Sequence, residues 1–180
     1  MERRKAMLTA APRDCGVTDP AEARRMTGRE LLEAIMDGRL PAPPMARTLS
    51  FLLTEVGDGF AVFEGDPGPR LLNPLGVIHG GWALTLIDSA AGCAGHSLLP
   101  AGASYTTVET KVNFSRPITT ETGRVRAEGR VVNRGRRVIS CDGRIVDARG
   151  APSCARDVDA DGVDGGRSCA CRVGFGPRGA

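Results

Sequence analysis

From Trp82 to Ala94 the chain is apolar nearly all the way round a helical wheel, with no helix breaker except Gly92. A helix of that kind has no polar face to give to water, so the rest of its domain must wrap it. The wrapping is predicted on both sides. Leu49 to Val56 and Phe60 to Glu64 read as two short strands around Gly57-Asp58-Gly59, a sequence able to supply the positive φ angles of a tight hairpin. Beyond a Pro100-Ala101-Gly102 turn come three more strand-like runs, Tyr105 to Phe114, Gly123 to Val132 and Arg137 to Asp147, the last two joined by Asn133-Arg134-Gly135. In the middle run Val125, Ala127, Gly129 and Val131 alternate with Arg124, Arg126, Glu128 and Arg130, which gives one face to a core and one to solvent. Strands, one buried helix, then strands in hairpin order define an α+β domain whose antiparallel sheet wraps a long central helix.

A chain of 180 residues, 41% of them hydrophobic, has material for one core, and its length fits one domain with tails. We expect a flexible N-terminal arm over residues 1–27, the domain over 28–150 with a short helix from Arg29 to Met36 and a Pro41 to Pro44 spacer, and an atypical, loose tail over 151–180. The tail is Gly-rich and carries Asp157, Asp159, Asp161 and Asp164, a composition that disfavours a strand. A slip of reading frame near Ser153 is one explanation of this ending, and a true divergent tail is the other. No apolar run reaches the ~18 residues of a membrane span, and no export signal follows Glu2-Arg3-Arg4-Lys5, so a soluble cytoplasmic protein is expected. Six cysteines without a CxxC pair read as free thiols, and no metal or cofactor is expected.

The chemistry concentrates at Asn73-Pro74-Leu75-Gly76-Val77-Ile78-His79-Gly80-Gly81, which ends where the helix begins. A helix start offers unpaired N–H groups at the positive end of the dipole, and glycine lets a carbonyl come close to them. Asp88 sits on the same helix, where a buried carboxylate costs several kcal/mol unless partners compensate it. It shares a stripe with Thr85 and Ser89, which predicts a cleft rather than core on that side. Gly80 and Asp88 are eight residues apart, roughly 12 Å along a helix. One chain cannot readily aim both at one atom, whereas a two-fold pair with antiparallel helices can.

At these residues the chain resembles the PaaI-like branch of hotdog-fold acyl-CoA thioesterases, whose pattern is an Asn, six residues to His-Gly-Gly, and an acid nine residues after that His. Asn73, His79-Gly80-Gly81 and Asp88 fit it, and the likeness runs from about Gly28 to Gly150 through Tyr105-Thr106-Thr107-Val108-Glu109, Val112 to Pro117, and Arg134 to Arg137. The resemblance implies that Asp88 acts as general base or as nucleophile, and that the Gly80 N–H stabilises the oxyanion. It implies that Asn73 orients the carbonyl or the water, that Thr107 assists the water, and that His79 shapes the turn. Substrate contacts are expected at Gly81 and, for CoA phosphates, at Arg116, Arg136 and Arg137. The expected substrate is a small aromatic or medium-chain acyl-CoA, and the expected assembly a homodimer or homotetramer.

Three rivals carry over. A hotdog dehydratase or hydratase is the enzymatic one, and a non-catalytic acyl-CoA-binding protein would bind the same esters without consuming them. Nucleic acid would suit the local balance of about +5 between Arg116 and Arg149, but aromatic platforms are scarce at 4% of residues. A serine hydrolase is disfavoured by the lack of GxSxG, with His79 and His96 the two histidines to serve as base.

Overall fold

The structure, a computed structural model, describes residues 14–154 and 169–177. Its centre is helix α4 (Gly80–His96), preceded by α1 (Pro20–Ala23), α2 (Gly28–Met36) and α3 (Pro44–Leu49). The strands are β1 (Phe51–Gly57), β2 (Phe60–Gly65), β3 (Ala103–Lys111), β4 (Val125–Arg134), β5 (Val138–Asp147), β6 (Pro152–Cys154) and β7 (Cys169–Pro177). They form one sheet in the order β1-β2-β4-β5-β7-β3, with β6 on β5, and every pairing is antiparallel. The α+β wrapping expected from the central helix is what the chain adopts.

The sheet closes on α4 through small residues. Leu86, Ile87, Ala90, Ala91 and Ala94 are fully buried against it. At Gly129 of β4 even a methyl group would run into the backbone of Ala90, so this glycine sets how near the helix can lie. One cluster packs Trp82, Leu86 and Ile87 with Phe51, Phe63, Val125, Ala127 and Ile145, and a second packs Ala91 with Leu99, Ile139, Cys141, Cys171 and Val173. The buried Trp82 indole donates to the Leu49 carbonyl at 2.8 Å, which leaves its one polar group satisfied.

Four sequence expectations are corrected. Order begins before Gly28: Asp14 to Gly16 pair with Ala42, Asp19 caps α1 with Pro20 in its first turn, and Ala23 packs on Leu31, Ala34 and Leu40. Residues 1–13 of the expected arm lie outside the described residues. The proline spacer runs straight into α3, which starts on Pro44 and stops at Ser50 in the left-handed region (φ 55°), so β1 begins at Phe51 rather than Leu49. The run expected to reach Phe114 ends as a strand at Lys111.

The fourth correction concerns the tail. Residues 152–154 and 169–177 are strands, not loose chain. Since β4 occupies one edge of β5, both pieces lie on the other, β6 against Ile145 and Val146 and β7 against Val138 to Gly143. They are two parts of a single sheet position. Cys171 and Val173 alternate into the core, and the apolar content of that short stretch outweighs the Gly- and Asp-rich composition around it. Residues 155–168, beyond the point near Ser153 where a frame slip is expected to begin, lie outside the described residues.

Candidate active site

The loop before α4 is tied by its own asparagine. Asn73 Oδ1 accepts from the amides of Leu75 (2.9 Å) and Val77 (3.3 Å), and its backbone exchanges bonds with Val77 and Gly76. The loop is then pinned to the body by His79 N–H on the Leu71 carbonyl and Ile78 N–H on the Ile118 carbonyl. Its last residue caps the helix: His79 Nδ1 accepts from Gly81 N–H at 2.9 Å, the place usually taken by Ser, Thr or Asp. A ring nitrogen that accepts carries no proton, so His79 shapes the turn in the form with its hydrogen on Nε2.

The cap separates the two glycine amides. Gly81 N–H is used by His79, while Gly80 N–H meets no acceptor among the described residues. Gly80 lines a pocket of about 340 Å³ together with Asn73, Val77, Ile78, Ala83, Phe114, Ser115, Arg116, Pro117 and Ile118. The half-exposed Phe114 ring lies over it, and a methyl group on Gly80 would come within 3.1 Å of that ring. An open donor at the positive end of a helix, beside a largely apolar cavity, is suited to a polarised carbonyl carried by an apolar group.

Asp88 is not in this pocket. It lies two turns further along α4, half-buried, on the side of the helix that the sheet leaves open with Gly81, Leu84 and Thr85. Thr110 Oγ1 donates to its Oδ1 at 2.8 Å, and the Cys171 thiol lies 3.9 Å from the same oxygen. Burial pushes the Cys93 thiol up to about 12 against a Tyr105 hydrogen bond, and the nearby Asp88 charge adds to the rise. Burial, with Cys93 and Asp88 adding to it, holds the Tyr105 phenol well above its ordinary value, and burial likewise raises Cys171. These neighbours are protonated at neutral pH, so none of them competes with the carboxylate as a nucleophile.

The hydroxyl on Asp88 belongs to Thr110, and Thr107 makes no side-chain hydrogen bond among the described residues. Arg116 is committed elsewhere: Nη2 donates to Asp147 at 2.8 Å and reaches the Ala151 carbonyl and Ser153 Oγ. Asp147, whose side chain is 2% exposed, accepts also from the amides of Arg149 and Ala151. Arg116 thus walls the pocket while clamping the β5–β6 turn. Arg136 and Arg137 are exposed on the β4–β5 turn. The neighbouring Ile139 packs near Gly95, so this turn sits by the C-terminal end of α4, far from Gly80 of its own chain.

Residues 75–154, from the pocket loop to β6, match the model of the thioesterase superfamily. Solved structures of similar shape include thioesterase HI1161 from Haemophilus influenzae, 18% identical, TM-score 0.65, covering 81% of this chain and 90% of that one. A mutant of thioesterase PA1618 from Pseudomonas aeruginosa is 20% identical, TM-score 0.63, over 93% and 99% of the two chains. A hypothetical thioesterase from Streptococcus pneumoniae, solved with coenzyme A, is 20% identical, TM-score 0.57, over 72% and 88%. No curated protein matches. An antiparallel sheet wrapped on α4, with these neighbours in shape, gives the chain the hotdog fold, and its segment from the pocket loop to β6 matches the thioesterase superfamily.

Proposed function

We propose that this protein is a cytoplasmic acyl-CoA thioesterase of the PaaI-like type, hydrolysing a small aromatic or medium-chain acyl-CoA to the free acid and CoA. The observation that carries the reading is the split site: an open Gly80 amide beside an apolar pocket, and a carboxylate two turns away on the open face of the same helix. Two chains packed with their α4 helices antiparallel bring Gly80 of one next to Asp88 of the other, and make two equivalent sites. The same packing carries the exposed Arg136 and Arg137 of one chain toward the partner's pocket, where CoA phosphates would meet them. Arg116, engaged by Asp147, is left as part of the pocket wall.

In this assembly the thioester carbonyl accepts from Gly80 N–H. Asp88 takes a proton from water as the water oxygen bonds to the carbonyl carbon, and the oxyanion is held at Gly80. The tetrahedral carbon then expels the CoA thiolate, which takes the proton back from Asp88. The alternative route has Asp88 attack the carbonyl itself, forming a mixed anhydride that water cleaves. Asn73 holds the loop that aims the amide, His79 keeps the Gly81 amide out of competition, and Thr107, on the same inward face of β3 as Thr110, would be the hydroxyl that assists the water.

The test is a panel of aryl and medium-chain acyl-CoAs with a thiol-trapping reagent. Turnover of at least one ester is expected. Tight binding without thiol release would make the protein an acyl-CoA sensor, and hydration of an enoyl-CoA without thiol release would make it a hydratase.

A further inference from the structure

We propose that Thr110 is a positioning residue for Asp88, holding Oδ1 so that Oδ2 is the oxygen presented to water or thioester. The inference rests on the thioesterase reading above. Its basis is an irregularity in β3. Thr107 pairs with Val173, Glu109 with Arg172 and Thr110 with Cys171, and the register shifts between Thr107 and Glu109. Val173 and Cys171 both point into the core, so the extra residue, Val108, keeps Thr107 and Thr110 on the same inward face. Strict alternation from Thr107 would turn Thr110 outward and bring Glu109 in. Instead Val108 is exposed, and Glu109 reaches Arg172 on the outer surface at 3.6 Å.

The bulge therefore aims one hydroxyl at one carboxylate oxygen. Thr110 Oγ1 lies 2.8 Å from Asp88 Oδ1, and its β-branched side chain has little freedom about χ1. Around Asp88 stand Cys93 from its own helix, Tyr105 and Thr110 from β3, and Cys171 from β7. All are neutral groups, and among the described residues no arginine, lysine or histidine forms an ion pair with Asp88. The Thr110 hydroxyl and the more distant Cys171 thiol both meet Oδ1, and Oδ2 has no hydrogen-bond partner among the described residues. A carboxylate on a half-open helix face is otherwise free to rotate, and a small error in its direction is costly in rate.

Thr110→Val keeps the shape and removes the donor, whereas Thr110→Ser keeps the donor. We expect Thr110→Val to lower kcat about tenfold with KM and thermal midpoint unchanged, and Thr110→Ser to retain most of the activity. Wild-type kcat in Thr110→Val, an equal loss in Thr110→Ser, or a loss confined to KM overturns the assignment. If the wild type releases no CoA from any ester, the thioesterase reading fails separately, and crystals still decide the positioning role. The Asp88 carboxylate should then take one orientation in the wild type and more than one in Thr110→Val, and a single orientation in both overturns it.

Discussion

The two sides of α4 obey different rules. On the sheet side Leu86, Ile87, Ala90 and Ala94 are fully buried, and Gly129 lets the backbone of β4 come against Ala90. Volume and shape decide every residue there. On the open side stand Gly81, Leu84, Thr85 and Asp88, with Leu84 37% exposed and Asp88 held by a single hydroxyl from β3. One helix thus serves as core of its own domain and, in the proposed dimer, as part of a site that a second copy would complete. A substitution on the packed side should cost stability, and one on the open side should cost activity.

The largest effects should come from the open side. Asp88→Asn is expected to lower kcat by about a hundredfold or more while the thermal midpoint stays put, the scale for a positioned base. Gly80→Pro should be comparably damaging, about a hundredfold, since it deletes the Gly80 N–H, which meets no acceptor among the described residues. Proline is tolerated at the first helical position, and His79 already has the extended conformation (φ −62°, ψ 130°) that a following proline requires. Mixing the two inactive variants distinguishes shared sites from sites within one chain. Random re-pairing leaves half the dimers hybrid with one intact site each, so about a quarter of wild-type activity should return. No recovery on mixing would place both groups in one chain and sink the two-chain site.

On the packed side Gly129→Val should do the reverse. Its side chain would meet the Ala90 backbone, which cannot step aside as a flexible side chain would. We expect a loss of about 3 kcal/mol in urea unfolding, at the upper end of overpacking costs. A stable variant with impaired turnover would show that the two sides are not separable.

Arg116 belongs to both sides, since it lines the pocket and clamps Asp147. Its hydrogen bond, followed by that of the Ala151 amide, holds the Asp147 carboxyl below the usual carboxylate range. A folded value below the unfolded one contributes stability above the unfolded pKa and loses it as pH falls through the folded one. The deficit of Asp147→Asn relative to wild type should therefore be constant from neutral pH to about 5 and shrink below about 4. Urea midpoints measured from pH 7 to 3 test this, and a deficit still undiminished at pH 3 would remove the carboxylate from the account.

What was legible in the sequence follows the same division. The packed side announces itself, because an apolar run broken by Gly92 alone, the Gly57-Asp58-Gly59 turn and the alternation of Val125, Ala127, Gly129 and Val131 are all local patterns. Gly59 takes a positive φ of 68° as the hairpin requires, and β4 buries Val125, Ala127 and Gly129 as expected, with Val131 partly buried. Asp88 was legible by contrast, as a charge on an apolar helix. Thr110 was not, because a bulge at Val108 depends on how β3 meets β7, and β7 lies in a stretch whose composition argues against a strand. Asp19-Pro20 is a cap signal of ordinary strength, outweighed by the charged and Pro-rich residues around it.

The smallest effect is expected furthest from the helix, at Arg136 and Arg137. Both side chains are exposed, so in the proposed site each would meet a phosphate in high dielectric and under salt screening. Replacing both by alanine should raise KM for an acyl-CoA about threefold to tenfold with kcat unchanged, and the difference should fade as ionic strength approaches about 0.5 M. The control is a thioester of the same acyl group on N-acetylcysteamine, which lacks every phosphate of CoA. Its KM should not respond to the double substitution, because pocket, Gly80 amide and Asp88 are untouched. An equal rise for both esters would mean that the β4–β5 turn shapes the site itself. In that case the sharp separation of chemistry on the open face of α4 from charge at the sheet's far end would have to be abandoned.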